Sequence, residues 1–165
     1  MAKNEVSCGY LRLLLRLAVL ALICFLIFTQ VFLITRAEGN EMFPAIKDGD
    51  LIIAFRMQRE YIKNDIAVCT PEGRKYIGRI AAIEHDTVTL DESGTLLVNG
   101  TPQSGEAFYQ TYAKDGITYP FTVPDGCVFI LGDNRPAAHD SRELGAVSTQ
   151  DIEGKVITLL RRRGL

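Results

Sequence analysis

Two kinds of apolar pattern divide this chain. The first is Leu17 to Ile34 (LAVLALICFLIFTQVFLI), 18 residues interrupted only by Thr29 and Gln30. That length approaches the roughly 20 residues an α-helix needs to cross a ~30 Å hydrocarbon core, so the run predicts a transmembrane helix over residues 17–34. A cleavable leader would have a shorter apolar region of about 7 to 15 residues, ending at a small-residue site. Thr35-Arg36-Ala37 is a poor site of that kind, which favours an uncleaved anchor. Beyond residue 50 the pattern changes to short runs bounded by turn residues: 51–55, 66–70, 75–83, 87–90, 96–98, 127–131 and 152–160. Asp91-Glu92-Ser93-Gly94 and Pro124-Asp125-Gly126 read as turns, and Asn99-Gly100 as a tight hairpin. Tyr109 to Phe121 is a looser excursion, and helical periodicity is almost absent. The expected fold is mainly β: one N-terminal helix, then a small, strongly bent, mostly antiparallel β domain over residues 37–165.

Composition and charge narrow the picture. A chain of 165 residues, 47% apolar and 8% aromatic, has room for one span and one modest domain. Lys3, Arg12 and Arg16 precede the span, whereas Arg36 beyond it is offset by Glu38 and Glu41. The positive-inside bias therefore puts residues 1–16 in the cytoplasm and the β domain outside. A net charge of -2 argues against nucleic-acid binding, which needs a clustered basic surface. The single basic run, Arg161-Arg162-Arg163, reads as a solvated tail, with membrane lipid headgroups as its alternative contact. Cys8, Cys24, Cys69 and Cys127 are scattered; Cys69 and Cys127 alone could pair outside the membrane, and both read as small core residues. His85 and His139 are too far apart for a metal site and read as loop residues, so no metal or cofactor is expected. Oligomeric state is not legible.

Three stretches carry candidate chemistry. The first is Gly39-Asn40-Glu41-Met42-Phe43-Pro44-Ala45-Ile46-Lys47-Asp48-Gly49-Asp50; the second runs from Arg79 to Val88, with the hairpin Leu97 to Gly100 after it. The third is Gly132-Asp133-Asn134-Arg135 and Asp140-Ser141-Arg142, followed by Gly145, directly after an apolar run. In these stretches, from the anchor nearly to the C-terminus, the chain resembles the type I signal peptidase family. The resemblance implies a serine nucleophile before Met-x-Pro and a lysine base immediately before the arginine that opens the second stretch. Glu41 and Gly78 stand at those places. A family serine that orients the lysine falls two residues before the aspartate of Asp-Ser-Arg, where this chain has Ala138. Gly39 occupies a position where members variously carry serine, glycine or aspartate, and decides nothing. A carboxylate cannot stand in for a hydroxyl that must form an acyl-enzyme. Glycine offers no base whose pKa burial could lower. Lys75, three residues from Gly78 in an extended run, is directed to the opposite face. Glu41 with Asp140 as an acid/base pair lacks any spacing that would hold the two together.

The resemblance also implies a groove in which an extended polypeptide adds between residues 37–41 and 75–77. Gly39, Asn40, Glu41, Met42, Lys75, Tyr76 and Ile77 are its expected lining, with Met42, Phe43 and Ile46 resting at the membrane surface. Asp133, Asn134, Asp140, Ser141 and Arg142 are expected to support the site, Asp140 and Arg142 as an ion pair and Asp133 and Asn134 by satisfying turn backbone. A desolvated Glu41 needs a partner, for which Arg142, Lys75 or solvent are candidates. Degenerate members of the family occur with Gram-positive pilus assembly systems, so the leading expectation is a membrane-anchored binder of an exported preprotein or pilin. The alternatives are an active signal peptidase and an anchored extracytoplasmic interaction module.

Overall fold

The computed structural model describes residues 2–103 and 109–161, so Arg162 and Arg163 lie outside the described residues. The chain forms two compact units that meet between Phe32 and Leu33. The first is helix α1 (Ala2–Val31). Its segment Tyr10–Val31, 22 residues with mean hydropathy 2.6, is long and apolar enough to cross a membrane. Leucines, isoleucines and phenylalanines cover it on all sides rather than along one stripe, as a lipid-facing helix requires. The helix ends three residues before the apolar run does. Phe32–Arg36 (FLITR) is strand β1 instead, because aromatic and β-branched residues suit a strand and β2 offers its edge to pair with.

The second unit is built, among its described residues, on two sheets. The larger has the order β1-β2-β11-β3-β4-β9-β10 and the smaller β7-β6-β5-β8. The strands are β2 (Leu51–Phe55), β3 (Ile66–Cys69), β4 (Tyr76–Ile83), β5 (Thr87–Leu90), β6 (Leu96–Val98), β7 (Thr101–Pro102), β8 (Phe121–Thr122), β9 (Cys127–Leu131), β10 (Val147–Ser148) and β11 (Ile152–Leu160), with a short helix α2 (Ser141–Leu144) before β10. From β2 onward, neighbouring strands run antiparallel. The turn between β6 and β7 is Asn99-Gly100, both with positive φ (53° and 76°), the conformation that lets two strands reverse without splaying.

Strand β4 alternates strictly between buried and half-buried positions. Its inner residues join the core: Ile80 packs with Ile130, Val147 and Ile152, and Ala82 with Val88, Phe129 and Leu131. A third cluster, Ala37, Met42, Ile46, Ile52, Ala54 and Val68, lies under the segment 37–50. This overturns the expectation that Met42, Phe43 and Ile46 form an outward apolar face. Met42 and Ile46 are 3% and 2% exposed, and only Phe43 reaches the surface. The segment is wound into turns without strand or helix period, so sequence spacing carried no information about which way these side chains point.

Candidate functional site

The segment that carries Glu41 is held by carboxylates at its far end. Asp48 Oδ1 accepts from the Gly39 N–H at 2.9 Å and Asp50 Oδ2 from the Lys47 N–H at 2.9 Å. The Ala37 N–H reaches the Asp50 carbonyl at 2.8 Å. Gly39 sits at φ +78°, a backbone region that favours glycine. The third sequence stretch returns to this segment. The Asn134 N–H donates to the Glu41 carbonyl at 2.9 Å, and Asn134 Nδ2 donates to the Asn40 carbonyl at 3.0 Å. Gly132 is needed for that approach: a Cβ there would lie 2.3 Å from the Ala138 Cβ and 2.7 Å from the Glu41 carbonyl oxygen.

Two bidentate ion pairs brace the loop after β9. Arg142 Nε and Nη2 donate to the Asp140 carboxylate at 2.8 and 2.9 Å, with Asp140 also accepting from the Gly132 N–H at 3.1 Å and capping α2. Arg142 Nη2 reaches the Arg135 carbonyl at 2.6 Å, and Ser141 Oγ accepts from the Ile130 N–H at 2.9 Å. Arg142 is 2% exposed, so each of these bonds satisfies a group that water cannot reach. The second pair is Arg79 with Asp133, Nε to Oδ1 at 2.9 Å and Nη2 to Oδ2 at 2.8 Å. Sequence reasoning had given the Asp133 side chain to turn backbone. It is used instead across strands, because Arg79 on β4 stands opposite Leu131 on β9, two residues before Asp133.

Glu41, Gly78, Ile130, Gly132, His139 and Asp140 all line one small cavity, with Ala138 against Gly132 at its wall. The Glu41 carboxyl is half-buried there. Burial pushes its pKa above the usual value, while the His139 N–H donating to it and the positive charges of Arg74 and His139 pull back, and Asp140 adds to the rise. Of the expected partners, the two side chains are engaged elsewhere, while the half-buried carboxyl still reaches solvent. Arg142 is spent on Asp140, and Lys75 Nζ donates to Thr35 Oγ1 at 3.2 Å. His139 is not a simple loop residue either: its ring lies 5.7 Å from that of Tyr76, on whose face Arg74 stacks at 5.3 Å, and its Nδ1 meets Glu143. Glu143 also takes Lys114.

The environment of Gly78 decides what can stand at that position. A Cβ built there would lie 2.2 Å from Ile130 Cγ2. Ile130 therefore fills the space a longer side chain at 78 would occupy. Cys69, also on this cavity, is a buried free thiol pushed up to about 12 by burial, and Cys127 is likewise free.

Adjoining the cavity at Glu41 and Ile77 lies an open groove lined by Ala37, Gly39, Glu41, Met42, Lys75 and Ile77, among others. Lys75 and Ile77 share this side of the strand, while Tyr76 and Gly78 face the cavity with His139. Asn40 contributes its carbonyl to Asn134 rather than lining the groove. The backbone of Ile77 is turned the same way as its side chain is useful. Ile80 exchanges bonds with Asp65 and Asn64 on the β3 side, and alternate residues of an antiparallel strand bond to opposite sides. Tyr76 and Gly78 thus bond toward β3, leaving the N–H and carbonyl of Ile77 directed to the side that β9, paired from Arg79 onward, does not cover.

Comparison with known proteins places this arrangement. The family model described as signal peptidase, peptidase S26, matches residues 10–160. A signal peptidase I of Bacillus caldolyticus is 32% identical over 136 residues, covering 72% of this chain and 74% of that protein. A probable thylakoidal processing peptidase 2, chloroplastic, of Arabidopsis thaliana is 30% identical over 135 residues, covering 72% of this chain and 35% of that protein. The crystal structure of a signal peptidase I from Enterococcus faecalis V583 is similar with a TM-score of 0.51 at 28% identity, covering 61% of this chain and 98% of that one. The chain belongs to the signal peptidase, peptidase S26, family.

Proposed function

We propose that this protein is a catalytically degenerate member of its family, anchored by α1, that holds an exported polypeptide in the groove without cutting it. One observation carries the reading: the space for a side chain at position 78 is filled by Ile130, whose Cγ2 lies 2.2 Å from where a Cβ would sit. A general base at that position is absent and its place is occupied. Glu41, at the nucleophile position, has no hydroxyl to acylate, and the lysine that the family resemblance implies as base is replaced by Gly78. The groove depends on neither residue. Recognition by strand addition draws affinity from backbone hydrogen bonds and specificity from pockets for alternate side chains, and the backbone of Ile77 is aimed to supply the former. Glu41 borders both the groove and the cavity. A carboxylate there disfavours an acidic client residue and favours a basic one, such as a pilin lysine. In this reading residues 1–16 are cytoplasmic and the β domain lies outside the membrane, where exported chains emerge.

The test is site-specific crosslinking in cells with a photoreactive residue at Lys75 or Ile77, the two strand residues that line the groove. A client segment is expected to crosslink there, and Ile77→Pro, which removes a groove-facing donor while sparing the bonds to β3, should abolish the crosslink with the fold retained. Crosslinks that map instead to residues 109–119, or full function of Ile77→Pro, would remove the groove from the account.

A further inference from the structure

Arg135 ends the Gly132-Asp133-Asn134-Arg135 stretch, yet its side chain lines neither the groove nor the cavity at Glu41. The charges around it are matched in pairs, Arg79 with Asp133, Arg142 with Asp140 and Lys114 with Glu143, and among the described residues Arg135 is left without a carboxylate in contact. It is nevertheless only 7% exposed, and taking an unpaired charge out of water is costly. Burial pushes its pKa down to about 10, with Asp140 and Asp133 opposing the fall and Arg142 and Arg79 adding to it, so the guanidinium stays charged at neutral pH. Two bonds hold it, Nε to the Gly132 carbonyl at 3.0 Å and Nη1 to Thr111 Oγ1. Its Nη2 has no partner among the described residues. It is not an enclosed atom, because the buried side-chain polar atom left unbonded there is the Tyr119 hydroxyl. Nη2 therefore opens into the cleft that Arg135 lines.

The far wall of this cleft is the segment 109–114, and it is held in place from three directions. The Thr111 N–H donates to the Gly94 carbonyl at 2.8 Å, Arg142 Nη1 donates to the Tyr112 carbonyl at 3.2 Å, and Lys114 Nζ bonds the Ala138 carbonyl and Glu143. Tyr109 and Tyr112 line it with 39% and 51% of their surface exposed. It shares no lining residue with the groove or with the cavity at Glu41. A guanidinium with a free donor in a largely desolvated place is matched by a carboxylate, through a charge-assisted hydrogen bond. Tyrosine beside arginine is the pairing that anchors polypeptides, since the rings supply contact area at little cost in side-chain entropy. We propose that this cleft is a second polypeptide-binding site, in which Arg135 takes the side-chain carboxylate of an aspartate or glutamate in an acidic partner segment while Tyr109 and Tyr112 cover the residues beside it. The groove bordered by Glu41 favours a basic residue and this cleft an acidic one, so each reading stands or falls without the other.

The test is fluorescence polarisation with the full chain in neutral detergent and the peptide Gly-Tyr-Glu-Tyr-Gly, labelled at its N-terminus and amidated at its C-terminus, against the same peptide with Gln for Glu. The Glu peptide should bind about tenfold or more tightly, the worth of a charge-assisted bond. That preference should be lost in Arg135→Gln and kept in Ile77→Pro, while Tyr112→Ala weakens both peptides. A second measurement needs no variant: the Glu peptide should protect Arg135 of the wild type from phenylglyoxal, read by mass spectrometry, and the Gln peptide should not. Equal affinity for the two peptides, or a preference without protection of Arg135, would overturn the proposal. So would a preference lost in Ile77→Pro and kept in Arg135→Gln, which puts the carboxylate in the groove. Inorganic phosphate that displaces the Glu peptide at the peptide's own concentration would overturn it by showing a small-anion site, and tighter binding of the Gln peptide with a free C-terminus would do so by showing a chain-end site.

Discussion

The loop after β9 supports two regions that have been treated oppositely. On one side, Asp140 with Arg142 and Asp133 with Arg79 form bidentate pairs, the first buried and the second partly so. On the other, Glu41, Gly78 and Ala138 stand where the family resemblance implies a serine, a lysine and a second serine, and the Ser141 hydroxyl on the same cavity is committed to the Ile130 N–H. The second region is nevertheless not a defect left by lost side chains. Ile130 occupies the room beside Gly78, and Gly132 lets Ala138 and the Glu41 backbone close together. On the reading proposed above, the difference teaches that the scaffold of the site and its chemistry are separable: ion pairs hold the loop beside the groove, while apolar packing fills the space beside Gly78.

The comparison breaks most readily at the braces. Arg142→Ala leaves Asp140 buried and uncompensated, and should cost about 3 to 5 kcal/mol in stability, read by thermal unfolding of the full chain in detergent. Arg142→Lys should rescue little, since one ammonium cannot reproduce a forked pair. A loss below about 1 kcal/mol would mean that the pair is not bracing the loop, because only exposed pairs are worth so little. The packing around Gly78 gives the next effect. Gly78→Ala should destabilise by about 1 to 3 kcal/mol through overpacking against Ile130. In an Ile130→Ala background most of that penalty should disappear, leaving the 3.3 Å approach to the Leu131 carbonyl, a coupling that a double-mutant cycle measures directly. Additive effects would show that Ile130 does not hold that space.

The smallest effect sharpens the picture of Glu41. Burial raises its pKa in the folded protein, so the native state holds this proton more tightly than the unfolded chain does. Its contribution to stability is therefore present at acid pH and lost as pH rises from the ordinary value of 4.5 through the raised one. Glu41→Gln should accordingly be more stable than the parent at neutral pH, by less than about 1 kcal/mol for a half-exposed group, and indistinguishable below pH 4.5. Melting temperatures across that range decide it; a variant less stable at neutral pH would mean that Arg74 and His139 outweigh burial.

Much of this was legible in the sequence, and what was not has physical causes. Strands from Leu51 to Phe55 and from Ile152 to Leu160 announced themselves as apolar runs between turns, and Asn99-Gly100 as the one backbone pair suited to a tight reversal. The end of α1 was misplaced because hydropathy does not distinguish Phe32 to Ile34 in a strand from the same residues in a helix. The pairing of Arg79 with Asp133 and the filling of Gly78 by Ile130 depend on the register between β4 and β9, which no local spacing encodes. His139 looked like an ordinary loop histidine because its contact with Tyr76 is made across the site. That Glu41 and Gly78 stand where the resemblance implies a serine and a lysine was plain in the residues, but that Ile130 packs against Gly78 was not.

The most direct test of a binding site without chemistry is cleavage of a signal-peptide-bearing reporter by the purified full chain in detergent. The account predicts no product above background from the wild type and none from Glu41→Ser alone, because nucleophile and base act as a unit rather than additively. With Gly78→Lys and Ala138→Ser added, turnover should emerge only when Ile130→Ala makes room for the lysine, since the Ile130 Cβ stands an ordinary 3.7 Å from a Cβ at 78. Turnover by the wild type that Glu41→Gln abolishes would contradict the account outright and make Glu41 a catalytic group.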